Sequence, residues 1–289
     1  MQDILTTADD VRLGVAVQDN LHALFRAMAG HLSGALHETD SISMHLASVT
    51  NPMFKGVWRT RLTEQNADAV IDQTLDWFKS QNAPFLFWWT GVGDTPTDIG
   101  QRLVTHGLLS YEAQIDSFAP GIISTDIGAP SMAADLHRVD ESLLDKTPPG
   151  FRIDIAQEMD DLLAFRQVFI ESYSVPDWAG QAWVDATLHN GIEHAPWTVY
   201  VGRLDDKPVA ITILFNGAGV AGVFGVGTIP SARGLGIGAA ITLKPLLDAR
   251  AQGYRYGVLF ATEMGLPVYE RIGFRVVPGR INRYLWRSA

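Results

Sequence analysis

The chain has 289 residues, a length that suits two domains of about 150 residues each, and its 47% apolar and 19% charged content supplies the core of an ordinary globular protein. The 22 Lys and Arg against 32 Asp and Glu leave a net charge of −10, a field that disfavours nucleic acid and anionic membranes as partners. There is no cysteine, so disulfides, thiolate metal sites and a cysteine nucleophile are excluded, and no metal site is read.

The N-terminus, "MQDILTTADDVRLG", carries acids where a secretory leader carries positive charge, and no apolar h-region follows it. No run approaches the roughly 18 apolar residues of a membrane span. A soluble, cytoplasmic protein without a membrane partner is expected. In the first half, "FKGVWRTRLTEQNADAVIDQTLDWFKSQNAPFLFWWTG" reads as strand, loop, helix and apolar strand. "DIGQRLVTHGLLSY" then gives a helix ending at Gly107. Between about residues 120 and 150 Gly, Pro, Ser and Asp make the text loop-like, with "TPPG" (Thr147 to Gly150) as a stop, and the domain boundary is expected there.

In the second half "FRIDIA" alternates as a strand, and "EMDDLLAFRQVFIESY" has the Leu162, Leu163, Phe165, Phe169 spacing of a helix. A second helix is expected over Gln181 to Leu188. "WTVYVGRL", "PVAITILF" and "GVAGVFGVGT" are β-rich runs separated by the hairpin-type turns "DDK" and "NGAG", which predicts antiparallel neighbours. A helix from about Gly236 to Gln252 follows, with Pro245 expected to kink it and Gly253 to cap it. "YGVLFAT" is a buried strand, "LPVYERIG" a short helix and "FRVVPGRINRYLW" a closing strand or hairpin. The two halves share enough of this order to read as divergent copies of one unit.

The stretch "TIPSARGLGIGAAITL" (Thr228 to Leu243) places Gly234, Gly236 and Gly238 at the mouth of a helix. Helix N-termini offer unsatisfied N–H groups to an anion, glycine lets the backbone come close, and Arg233 adds a guanidinium. At the corresponding place the first half has "LTEQNADAV", where Glu64 and Asp68 would cap the helix and repel a phosphate. Only the second half is expected to hold an anion. A dinucleotide fingerprint, G-x-G-x-x-A from Gly234 to Ala239, competes for the same glycines. It requires them to follow a strand directly in a parallel β-α-β unit, whereas Ile229 to Ala232 intervene and the preceding strands are antiparallel. A P-loop is excluded, because no Gly-Lys-Ser/Thr follows.

The pattern T-x-P-x-x-R-G-x-G-x-G (Thr228 to Gly238), together with "VYERIGF" (Val268 to Phe274), resembles the GNAT acyl-CoA N-acyltransferase superfamily. The faint N-terminal copy also makes the whole chain similar to tandem-GNAT proteins with one degenerate domain. The resemblance implies an α/β (α+β) fold of two GNAT-like domains, each a mixed, mostly antiparallel sheet flanked by helices. Residues 1–135 would form the degenerate copy without a CoA loop, and residues 150–289 the catalytic acetyltransferase domain. It further implies that the backbone of Val226, Gly227 and Thr228 pairs with pantetheine amides, and that Arg233, Gly234, Leu235, Gly236, Ile237, Gly238 and Ala239 bind the CoA pyrophosphate. A main-chain N–H near Val226 to Thr228 would polarise the thioester carbonyl.

Tyr269 takes the place of the family tyrosine that protonates the departing thiolate, a role suited to a phenol with an ordinary pKa of about 10. "GVAGVFGVGT" has no acid, so candidates for a general base are Glu263, after the fifth strand, and Glu193 or His194, before "WTVYV". Tyr173, Trp178 and Trp183 stand near the presumed acceptor side without an assigned role. The expectation is direct acetyl transfer from acetyl-CoA to a small-molecule amine, with no metal and no nucleic acid involved. The alternatives are a sensor or scaffold that binds acyl-CoA without turnover, and a Rossmann-type dinucleotide-binding protein.

Overall fold

The computed structural model describes residues 4–49, 52–110 and 128–288, which fall into two compact units. The smaller comprises Phe25–Ala129 and Gly279–Ala289, the larger Met1–Leu24 and Pro130–Pro278. Two elements pass from one unit to the other along the chain: helix α1 (Asp10–His31) at Leu24 and Phe25, and strand β12 (Arg275–Arg287) at Pro278 and Gly279.

In the smaller unit the strands are β1 (Ala35–Glu38), β2 (Ser43–Leu46), β3 (Lys55–Trp58), β4 (Phe85–Thr90) and β5 (Leu109–Ser110). The order is β1-β2-β3-β4-β12, with β5 also on β12. All pairs are antiparallel except β3 with β4. The β3–β4 connection is α2 (Ala67–Ser80), whose Ala67, Ile71, Thr74, Leu75 and Phe78 recur at helical spacing and are buried. They pack with Val57, Leu86, Trp88 and, from α3 (Ile99–Thr105), Leu103. Asp68 does not cap α2 as the sequence suggests: the N-cap is Asn66. Asp68 instead pairs with Arg102 at 2.6 Å and with His106 at 3.1 Å, because α3 and its C-cap His106 lie against the start of α2.

The larger unit carries β6 (Ala129–Asp135), β7 (Phe151–Ile155), β8 (Thr198–Leu204), β9 (Lys207–Gly217), β10 (Val220–Thr228) and β11 (Tyr256–Phe260), in the order β6-β11-β10-β9-β8-β7. Only β10 and β11 are parallel, joined by α6 (Ile237–Ala251). The remaining pairs are antiparallel, as the short turns predict. Helices α4 (Met159–Tyr173), α5 (Asp177–Leu188) and α7 (Leu266–Ile272) complete the unit. The molecule is thus a mixed α/β protein with mostly antiparallel sheets flanked by helices. Helix α6 continues through the buried Pro245 to Ala251, and Gly253 beyond it has φ +96°.

The units differ from a linear division at residues 135–150 in two respects. "SMAADL" lies mostly in a strand: β6 pairs with β11 from Ser131↔Phe260 to Asp135↔Tyr256, so the larger unit begins at Pro130. Residues 1–24 belong to it as well, since Leu13, Ala16 and Val17 of α1 share a core with Ala133, Val220, Tyr256 and Val258. Asn20 adds a buried bond, its side-chain amide donating to the Gly217 carbonyl at 2.8 Å.

Candidate functional site

β10 and β11 run side by side only at Ala221↔Gly257 and Gly222↔Val258. Beyond those pairs Leu259 and Phe260 of β11 stay with β6, while β10 bulges between Phe224 and Gly227. Gly225, at φ +59°, supplies the left-handed residue of that bulge. An extra residue bends and twists a strand, so the bulge is the physical reason the two parallel strands part. The wedge left between them exposes the second half of β10 to whatever enters.

Of the residues on that half, Gly227 and Thr228 return to register with Ile211 and Ala210 of β9, while Gly225 and Val226 lie outside it. The Val226 carbonyl accepts a hydrogen bond from the Tyr173 hydroxyl at 2.7 Å. Gly227 is glycine for steric reasons: a Cβ there would lie 2.9 Å from the Ser172 Cβ.

After β10 a short 3-10 turn (Pro230–Ala232) leads into the glycine loop, and α6 starts at Ile237 with Gly236 as its N-cap. Gly234 and Gly236 have φ of +77° and +79°, the left-handed region that side chains resist. Among the described residues, the N–H groups of Gly234, Leu235, Gly236, Ile237 and Gly238 make no hydrogen bond within the protein. The first bonded N–H groups of the helix are those of Ala239 and Ala240, which donate to the Gly236 carbonyl at 3.1 and 3.2 Å. Five successive donors at the positive end of a 15-residue helix form a cradle that could hold an anion. Gly238 opens it further, since the nearest atom to a Cβ there would be the Thr228 Oγ1 at 3.7 Å. Arg233 is exposed, with Nε donating to the Thr228 carbonyl and Nη2 to the Ser172 carbonyl, both at 3.1 Å. It braces the loop as well as charging it.

Tyr269, on α7, is 8% exposed and belongs to the core cluster that also holds Ala232, Ile237 and Ala239. Its ring lies 6.1 Å from that of Phe274. Burial disfavours the phenolate and pushes the pKa up to about 12, so the hydroxyl keeps its proton. Glu263 is exposed between β11 and α7. Glu193 and His194 are exposed in a short 3-10 turn, 3.7 Å from each other. Trp183 is buried edge-on against Trp197, with ring centroids 5.8 Å apart, and Trp178 is 39% exposed at the start of α5. The residues that sequence reasoning does not assign to the wedge are Ser172 and Tyr173, whose contacts depend on the bulge.

The smaller unit repeats the parallel pair without the opening. β3 and β4 meet at Gly56↔Phe87 and Val57↔Trp88, but an isolated bridge between Arg61 and Thr95 follows. The Thr95 N–H donates to the Thr60 carbonyl at 2.9 Å, the Leu62 N–H to the Thr95 carbonyl at 3.1 Å, and the Trp88 Nε1 to the Thr60 Oγ1 at 2.9 Å. At the start of α2 the N–H groups of Asn66 and Ala67 are already bonded to Thr63. There the strands are bridged, and two of the donors at the mouth of the helix are taken.

Residues 131–262 match the model of the acetyltransferase (GNAT) domain. Among solved structures, a GCN5-related N-acetyltransferase from Kribbella flavida superposes with a TM-score of 0.69 at 16% identity, covering 96% of both chains. One from Sphaerobacter thermophilus gives 0.59 at 14%, covering 99% of this chain and 95% of its own. A tandem GNAT protein from the clavulanic acid biosynthesis pathway gives 0.56 at 14%, covering 100% and 98%. At these identities the likeness is one of fold. No curated protein matches the sequence.

Proposed function

We propose that the protein is an acyl-CoA-dependent N-acyltransferase, with acetyl-CoA as donor and a small-molecule amine as acceptor. The observation that carries this reading is the run of unbonded N–H groups from Gly234 to Gly238 at the N-terminus of α6. Such donors fit a pyrophosphate, and Arg233 adds positive charge at their edge. The half of β10 that β11 leaves, Val226 to Thr228, suits an extended amide-bearing arm. A main-chain N–H there would polarise the acyl carbonyl.

Acetyl-CoA supplies an acyl group on a thioester, which the acceptor nitrogen takes as the C–S bond breaks. Tyr269, kept protonated by burial, donates its proton to the leaving sulfur. With no cysteine in the chain to carry the acyl group as a thioester, direct transfer is the simpler route. The exposure of Glu263, Glu193 and His194 favours removal of the acceptor's proton through water, or binding of the amine already neutral. The smaller unit, with its bridged strands, takes no CoA in this reading. A cytoplasmic location goes with it.

Titration with acetyl-CoA and NADH separates this proposal from a dinucleotide site. Thiol release from acetyl-CoA across a panel of amines then separates an enzyme from a sensor. Release with at least one amine supports the enzyme; tight binding without release from any amine supports the sensor.

A further inference from the structure

Two side chains tie the last turn of α4 to the open half of β10. The Tyr173 hydroxyl donates to the Val226 carbonyl at 2.7 Å, and Arg233 bridges the Thr228 and Ser172 carbonyls at 3.1 Å each. Between these ties helix and strand are in near-backbone contact at Gly227 and Ser172. The Tyr173 ring is held in place by Phe169, 4.9 Å away, which stacks in turn on Phe165 at 5.8 Å. Ser174 takes φ +50° and ends the helix there, so Tyr173 is the last residue of α4 able to reach the strand from that face.

The direction of the Val226 carbonyl follows from the ladder. The Ile229 N–H donates to the Val209 carbonyl at 3.0 Å, and Gly227 is paired with Ile211. Bonded pairs alternate along an antiparallel ladder, so the Gly227 N–H also turns toward β9. The Val226 carbonyl belongs to the same trans peptide plane and turns the opposite way, into the wedge that β11 leaves. The Tyr173 hydroxyl therefore stands at the wedge, bonded to one of the two bulge residues that β9 does not hold.

We propose that Tyr173 is a positioning residue for the acyl end of the donor: by holding the Val226 carbonyl it fixes the Gly225–Val226 bulge, the part of β10 that meets the thioester carbonyl. This rests on the acyl-CoA reading given above. The bulge has a left-handed glycine and no ladder partner, so without this bond its peptide planes sample several directions and polarise the acyl oxygen poorly. The pyrophosphate cradle lies beyond Pro230 and does not depend on it.

The test is calorimetric titration of wild type and Tyr173→Phe with CoA and with acetyl-CoA. The phenylalanine ring keeps the contact with Phe169 and removes only the hydroxyl. The expected result is CoA affinity unchanged within about twofold and acetyl-CoA affinity reduced about fivefold, the effect of one neutral hydrogen bond. If the variant loses its cooperative melt, the same ratio is read in Tyr173→His, which keeps a ring but falls short of Val226. Equal loss of both affinities, or no change in either, overturns the proposal. Failure of the wild type to bind either ligand overturns the acyl-CoA reading instead, so the two failures are distinguishable.

Discussion

Gly236 lies against the backbone of Lys146: a Cβ at Gly236 would sit 2.5 Å from the Lys146 carbonyl oxygen, and its φ is +79°. The glycine is therefore needed by the fold before any ligand arrives. Gly236→Ala should destabilise the larger unit by about 2 kcal/mol or more, through left-handed strain and the clash together. A thermal melt checks this.

Gly238 is the cleaner probe of the cradle. It has no positive φ, and a Cβ would meet only the Thr228 Oγ1 at 3.7 Å. Gly238→Leu should leave the melting temperature within a few degrees and weaken acetyl-CoA at least tenfold, about 1.4 kcal/mol, by filling the space over the donors. Gly234, with φ +77° and open space around its missing Cβ, should fall between the two: Gly234→Ala pays strain of about 1 kcal/mol with little steric effect.

Tyr269→Phe should lower kcat about 100-fold and leave acetyl-CoA affinity unchanged, the pattern for loss of a general acid. Because burial raises the phenol to about 12, its deprotonation should not limit the rate below about pH 10. The sign for stability is the same. The folded-state pKa lies above the ordinary value of about 10, so the contribution is complete below pH 10 and is lost as pH rises toward 12. A pH–rate profile of wild type against the variant, with any amine that supports thiol release, reads the first effect.

His45 gives the smaller unit an acid-sensitive core. It is fully buried, stacked on Phe25 with ring centroids 5.3 Å apart, and burial lowers its pKa from 6.5 to about 4. The unfolded chain therefore binds more protons between those values, and stability falls as pH drops through that window. The loss is on the order of 3 kcal/mol when complete. His45→Phe should flatten the acid limb of the melting curve between pH 6.5 and 4 relative to wild type. An unchanged limb would mean that His45 does not titrate there.

Much of the larger unit is legible in the sequence because its signals are local. Hairpin turns fix the β8–β9–β10 meander, and Pro230, Arg233 and the three glycines mark the turn into α6. "SMAADL" reads as a loop because β6 is buried at Pro130 through Ala134, so it lacks alternation, and Gly, Pro and Ser surround it. The membership of residues 1–24 in the larger unit rests on long-range packing of α1, which no local pattern encodes. The same holds for Asp68, which looks like a cap until α3 and its C-cap bring Arg102 and His106 to it. Tyr173 stands in the sequence as one aromatic among several. Its contact with Val226 exists only because the strand bulges.

In the proposed reading the donors from Gly234 to Gly238 hold the pyrophosphate of an acyl-CoA. Isothermal titration of wild type and Gly238→Leu with acetyl-CoA, with NADH as the control, tests it most directly. Expected are saturable binding of acetyl-CoA by wild type, at least tenfold weaker binding by a variant that melts normally, and no binding of NADH. Wild-type protein that melts cooperatively yet ignores acetyl-CoA, or a Gly238→Leu variant that binds it as tightly as wild type, would contradict it.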